Sequence, residues 1–114
     1  QDASESVFLT KAIELVEKNL HVPGYSVEQL SRDLCMERTG LYRKLVAMLD
    51  QSPSLFIRNI RLQRAAQLIL EGSLSITEIA ERTGFSSSSY LSKCFQEMYG
   101  CRPSEYAEKM QKST

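Results

Sequence analysis

The sequence predicts an all-α chain of seven helices, arranged as two helix-turn-helix units joined by a long linker helix. Three observations predict it. Apolar residues recur with a helical period almost everywhere, and no stretch keeps the period of two that a half-buried strand needs. Capping residues, Pro and Gly punctuate that pattern at short intervals. The second half of the chain repeats the first.

The first helix runs from about Ser6 to Leu20, with Leu9, Ala12, Ile13, Val16 and Leu20 along one face, until Pro23 and Gly24 break it. Ser26 and Gln29 have capping-box spacing and open a short second helix carrying Val27, Leu30 and Leu34. The third spans about Arg38 to Leu49 and buries Leu41, Leu45 and Met48 or Leu49. Ser52-Pro53 starts the fourth and longest, about Pro53 to Glu71, which ends at Gly72. Phe56, Ile57, Ile60, Leu62, Ala65, Ala66, Leu68 and Ile69 make it apolar on more than one side, as contact with two neighbouring units requires. Ser75 and Glu78 form another capping box over Ile76, Ile79 and Ala80, closed by Gly84. Four serines, 86–89, then lead into a helix that ends near Tyr99, with Gly100 as its C-terminal cap. Pro103 opens a final short helix through Tyr106 and Met110.

With 114 residues, 42% hydrophobic and 25% charged, the chain suits one compact domain or two very small ones. No apolar run approaches a membrane span, no signal-peptide pattern is present, and a chain opening on Gln1 reads as a piece of something longer. Cys35, Cys94 and Cys101 form no C-x-x-C pair and read as reduced packing thiols of a cytoplasmic protein. His21 is a lone loop histidine, so no metal or cofactor is expected. No cysteine pairs with a His/Asp arrangement, which argues against a thiol enzyme and leaves no catalytic residue to name. The net charge is zero, yet residues 38–70 carry Arg38, Arg43, Lys44, Arg58, Arg61 and Arg64 against Asp50 alone. Because screening confines such a block to about 8–10 Å, it makes a local basic patch on a neutral chain.

The repeat sharpens this. At an offset of 49, Ser26/Ser75, Val27/Ile76, Leu30/Ile79, Ser31/Ala80 and Met36/Phe85 correspond. One residue enters at the turn, and at an offset of 50 Leu41/Leu91, Arg43/Lys93, Leu45/Phe95, Met48/Met98, Pro53/Pro103, Ser54/Ser104 and Phe56/Tyr106 correspond. The repeated unit is a short helix, a tight turn and a longer helix with a basic residue mid-face, the pattern whose second helix enters the DNA major groove. A 19-residue linker helix would span roughly 28 Å, close to the ~34 Å that separates successive major grooves on one face of a duplex.

The stretches SVEQLSRDLCMERTGLYRKL, SPSLFIRNIRLQRAAQLIL and SITEIAERTGFSSSSYLSKCFQEMYGCRPSEY resemble the DNA-binding domain of the AraC/XylS family of bacterial transcription regulators, over about Val7 to Met110. The wording is most like the output domain of bacterial hybrid two-component sensor-regulators, which implies kinase and receiver modules upstream in the parent chain. The resemblance implies one DNA-binding domain made of a first helix-turn-helix unit (1–52), a linker helix (53–72) and a second unit (73–114). It implies recognition helices at about 38–49 and 87–99, in successive major grooves of promoter DNA. Carried over, Arg38, Thr39, Tyr42 and Arg43 fall on the exposed face of the first, and Ser87, Ser88, Ser89, Ser92 and Lys93 on that of the second. Glu37, Gly40 and Asp50 depart from the family pattern.

Among these, Arg43 is the expected base reader, because a guanidinium pairs bidentately with guanine. Lys93 is expected at a phosphate, and Arg38 and Lys44 as backbone clamps; Thr39 and Tyr42 offer a hydroxyl or a methyl contact. Ser86 or Ser87 is expected to cap the second recognition helix, with the following serines facing the groove. Arg58, Arg61 and Arg64, at i, i+3 and i+6 on the linker, read as solubilising or acid-pairing surface residues. The alternative is a protein-interaction module that contacts RNA polymerase or a receiver domain, which the zero net charge and acidic ends favour.

Overall fold

The structure, a computed structural model, describes residues 3–112. Seven helices follow in order: α1 (Ala3–Lys18), α2 (Val27–Asp33), α3 (Arg38–Leu49), α4 (Pro53–Glu71), α5 (Ile76–Arg82), α6 (Ser88–Tyr99) and α7 (Pro103–Lys112). No strand occurs among the described residues. The chain forms two compact units, Gln1–Ile60 and Arg61–Thr114, and α4 passes from one to the other.

In the first unit, Phe8, Ala12 and Val16 of α1 pack with Leu30 of α2, Leu41 and Leu45 of α3, and Phe56, Ile57 and Ile60 of α4. Each such side chain taken out of water contributes about 1.5–3 kcal/mol. Tyr25, buried in the loop before α2, donates its hydroxyl to the Asp33 carboxylate at 2.9 Å. Burial first, and then the neighbouring carboxylate, push that phenol well above its ordinary pKa, so it stays a donor. Ser26 Oγ accepts from the Gln29 amide at the start of α2. Ser52 Oγ accepts from the Leu55 amide at 3.2 Å and so caps α4 ahead of Pro53.

The second unit is built on the same plan around Leu62, Ala65, Ala66 and Leu68 of α4, Ile79 and Ala80 of α5, Phe85, and Leu91, Cys94 and Phe95 of α6. Here the capping box is complete: Glu78 N donates to Ser75 Oγ and Ser75 N to Glu78 Oε1, each at 3.2 Å. Phe95, Tyr99 and Tyr106 cluster with ring centroids 4.5–5.2 Å apart, which seats α7 on α6.

The duplication holds down to single hydrogen bonds. Met36 N donates to Ser31 O, and Phe85 N to Ala80 O, both at 2.9 Å. Cys35 and Gly84 occupy the same place in the two turns, both with positive φ (55° and 79°), as do the C-caps Asp50 and Gly100 (56° and 75°). Three expectations need correction. Helix α1 starts at Ala3 and stops at Lys18, because the Asn19 side chain and amide turn back on Leu15 and Val16 and start the loop early. Cys35 is exposed, since a left-handed turn residue points its side chain outward instead of packing. Arg61 is buried, as set out below.

Candidate nucleic-acid interface

Helix α3 hides Leu41 and Leu45 completely. At 3.6 residues per turn that inward stripe leaves Thr39 and Arg43, one turn apart, on the opposite side, and both are exposed. Arg38 is exposed at the start of the helix, and Tyr42 is 53% exposed beside it. Arg38, Thr39 and Tyr42 together line a groove with Val27, Ser52 and Pro53. Lys44 goes elsewhere: its ammonium lies over the Phe8 ring, 4.5 Å from the centroid, and the side chain is half-buried against α1. Glu37 is the N-cap residue of α3 but makes no side-chain bond to the helix. Gly40 sits in open space, with Met36 Cε the nearest atom to an added Cβ at 3.9 Å.

Helix α6 buries Leu91, Cys94 and Phe95. Ser87 is its N-cap and accepts from the Tyr90 amide at 3.0 Å, which leaves the hydroxyl proton free to donate outward. Ser88 is the first helical residue and half-buried; Ser89 and Lys93 are exposed on the outer stripe. Ser92 is half-buried and lines a groove with Ile76, Arg102, Pro103 and Ser104, the repeat counterpart of the groove beside α3. The inserted residue of the repeat is Ser86, which lies before the cap in the turn.

Two residues belong to this surface that the sequence reading passed over. Gln96 stands at i, i+4, i+7 with Ser89 and Lys93 and is exposed, so its amide extends the outer stripe by one turn. Tyr90 is 46% exposed and held edge-on to Phe85, with centroids 5.8 Å apart. The i+7 spacing from Ser89 is the signal that could have found Gln96. The linker arginines do not act as a set: Arg64 is exposed and donates to Gln67, Arg58 is half-buried, and Arg61 is buried with Nη1 on the Thr83 carbonyl. Among the described residues no His/Cys/Asp/Glu group could hold a metal ion. No helix there is long and apolar enough to cross a membrane.

The surface cations differ in one electrostatic respect. Arg32, Arg102 and Lys112 pair with Glu28, Glu105 and Glu108 within their own helices or turns. Among the described residues no carboxylate pairs with Arg38, Arg43 or Lys93, so their donors face solvent unspent.

The family described as "Helix-turn-helix domain" matches residues 30–109. A histidine kinase of Formosa agariphila is 40% identical over 98 residues, which cover 86% of this chain and 7% of that protein. The HTH-type transcriptional regulator ArgR of Pseudomonas aeruginosa is 32% identical over 97 residues, covering 85% of this chain and 29% of the regulator. The chain thus spans less than a third of either relative. A solved transcriptional regulator from Chromobacterium violaceum, described as an AraC-type DNA-binding-domain protein, superposes with a TM-score of 0.85 at 29% identity, over 95% of this chain and 96% of that one.

Proposed function

Since this chain belongs to the AraC-type family of helix-turn-helix domains, the non-catalytic, sequence-specific DNA-binding part of transcription regulators, we propose that α3 and α6 are its two recognition helices. Each enters a major groove, in successive turns of promoter DNA, with the two helix-turn-helix units at 1–52 and 73–114 and the linker at 53–72. Arg43 reads a base on the α3 side, and Thr39 contacts the groove wall. Arg38 and Lys93 meet phosphates, while Ser87, Ser88, Ser89 and Ser92 bring the α6 end close to the backbone. Tyr42 flanks the α3 groove, and Lys44 adds charge from its place over Phe8.

One observation carries this reading: the outward stripe of each second helix holds a cation with no internal partner, in a chain whose other basic residues are largely paired or buried. A guanidinium held free beside a groove suits guanine, and a free ammonium suits a phosphate. Footprinting on the promoter beside its own gene tests it. Two protected patches about one helical turn, ~34 Å, apart are expected; protection of a single continuous patch, or none, would sink the two-groove reading.

The parent chain, on this proposal, carries kinase or receiver modules upstream and works in the bacterial cytoplasm, and the similarity to the Formosa kinase supports it. A contact with RNA polymerase or a receiver by the same domain is the second reading, favoured by the exposed apolar Val7, Leu70 and Met110, which lie outside both recognition helices.

A further inference from the structure

A guanidinium taken out of water is costly unless its N–H groups are paired, and position 61 pays that cost for a specific contact. Arg61 is 6% exposed, and its Nη1 donates to the Thr83 carbonyl at 2.8 Å. Burial lowers the guanidinium pKa from its ordinary value, though arginine keeps its charge at any working pH. Thr83 is itself wholly buried and fixed from its other side. Its amide and its Oγ1 both donate to the Ile79 carbonyl, at 3.0 and 2.7 Å.

Thr83 is the C-cap of α5, and everything that aims α6 follows it directly. Gly84 turns left-handed, Phe85 is buried with its amide on the Ala80 carbonyl, and Ser87 caps α6 three residues later. The first unit makes the same turn without this tie. Its counterpart residue is Leu34, and among the described residues no side chain donates to the Leu34 carbonyl.

We propose that Arg61 is a positioning residue for α6: by holding the Thr83 carbonyl it fixes the α5–α6 turn, and with it the angle at which Ser89, Lys93 and Gln96 meet the bases. It acts through Thr83 and not by contact with DNA. The proposal rests on α6 being a recognition helix. Loss of the tie leaves α6 folded but loosely aimed, which costs base discrimination more than phosphate-driven affinity, because phosphates tolerate imprecise approach and base edges do not.

The test compares Arg61→Met and Arg61→Lys with the unchanged chain on a selected site and on sites altered base by base. Lys93→Ala and Arg43→Ala assign which bases belong to α6 and which to α3. In Arg61→Met, discrimination among α6 bases should fall about tenfold, the order expected from one buried carbonyl left unpaired. Discrimination among α3 bases and affinity for unrelated DNA should hold. Arg61→Lys should recover part of the loss, since an ammonium can donate to the same carbonyl. Hydrogen exchange without DNA reads the tie independently: amides 84–90 should exchange faster in Arg61→Met while those of α3 do not change. Equal losses in both halves would make Arg61 a general stabiliser and overturn the proposal. Faster exchange with α6 discrimination intact would overturn it as well. Should the unchanged chain show no discrimination at α6 bases while Arg61→Met still speeds exchange, the recognition reading of α6 fails and the positioning role falls with it, though the tie itself stands.

Discussion

At the scale of single residues, a side chain can read DNA only if its donors are not already spent inside the protein. Arg43 meets that condition and Lys44, one residue on, does not, because its ammonium sits over Phe8. Arg43→Ala should therefore lose about 1–3 kcal/mol on a cognate site and relax the preference at one base position. Competition binding against single-base variants measures both; an unchanged preference would remove Arg43 from the reading set. Lys44→Ala should instead lower the melting temperature through lost packing and leave the base preference as it was. The sequence made Arg43 and Arg61 look alike, both arginines in a basic block. Only the fold separates them: burial of Arg61 depends on Thr83, 22 positions away, and no local pattern encodes that pairing. Gln96 was legible in principle, since its register with Ser89 and Lys93 is a property of the helix alone.

At the scale of elements, the helices were readable wherever a residue type dictates the end. Helices α3 and α4 begin and end as expected, because Pro53 suits the first helical turn and Gly72 takes a positive φ of 75°. Helix α1 was misjudged at both ends because neither has such a marker, and a side-chain bond from Asn19 decides where it stops. The turns give two tests. Asp50 holds a left-handed C-cap at φ 56° and puts an anion at the negative end of α3. Asp50→Gly should therefore stabilise the chain by about 1 kcal/mol, read by denaturant titration. The α5 cap gives a pH test. The Ser75 backbone amide, and then its hydroxyl, hold the Glu78 carboxyl below its ordinary pKa. A depressed carboxyl stabilises the fold above its unfolded pKa, and that contribution is lost as pH falls through the folded one. Glu78→Gln should thus melt below the unchanged chain near neutral pH, with the gap closing below about pH 4. A gap constant with pH would mean that the charge plays no part in the cap.

For the whole molecule, net charge is a poor guide to partner and charge placement a good one. The chain is neutral overall, yet the acids gather in residues 1–37 and 71–114 while 38–70 carry six basic groups against one acidic. Phosphate contacts displace counterions, so affinity for any duplex should fall steeply, by orders of magnitude, between about 50 and 200 mM salt. A flat titration would reject DNA as the partner of this surface. Duplication was the most legible property of all. The paired caps, the Pro-Ser pairs and the basic residue at equal offsets were visible in the letters, and the turn hydrogen bonds repeat them atom for atom. What the letters could not carry is the difference between the copies. One turn is braced by a buried guanidinium and runs through glycine; the other runs through cysteine unbraced.

That cysteine also offers a chemical handle. Of the three thiols, Cys94 and Cys101 are buried in the second unit, and Cys35 alone stands in solvent, three residues before α3. A maleimide dye added to the native protein should couple once, and three times after denaturation, as intact mass would count. A fluorophore at that single place sits beside the helix expected to enter the groove, so DNA binding could be followed by its emission without engineering any residue.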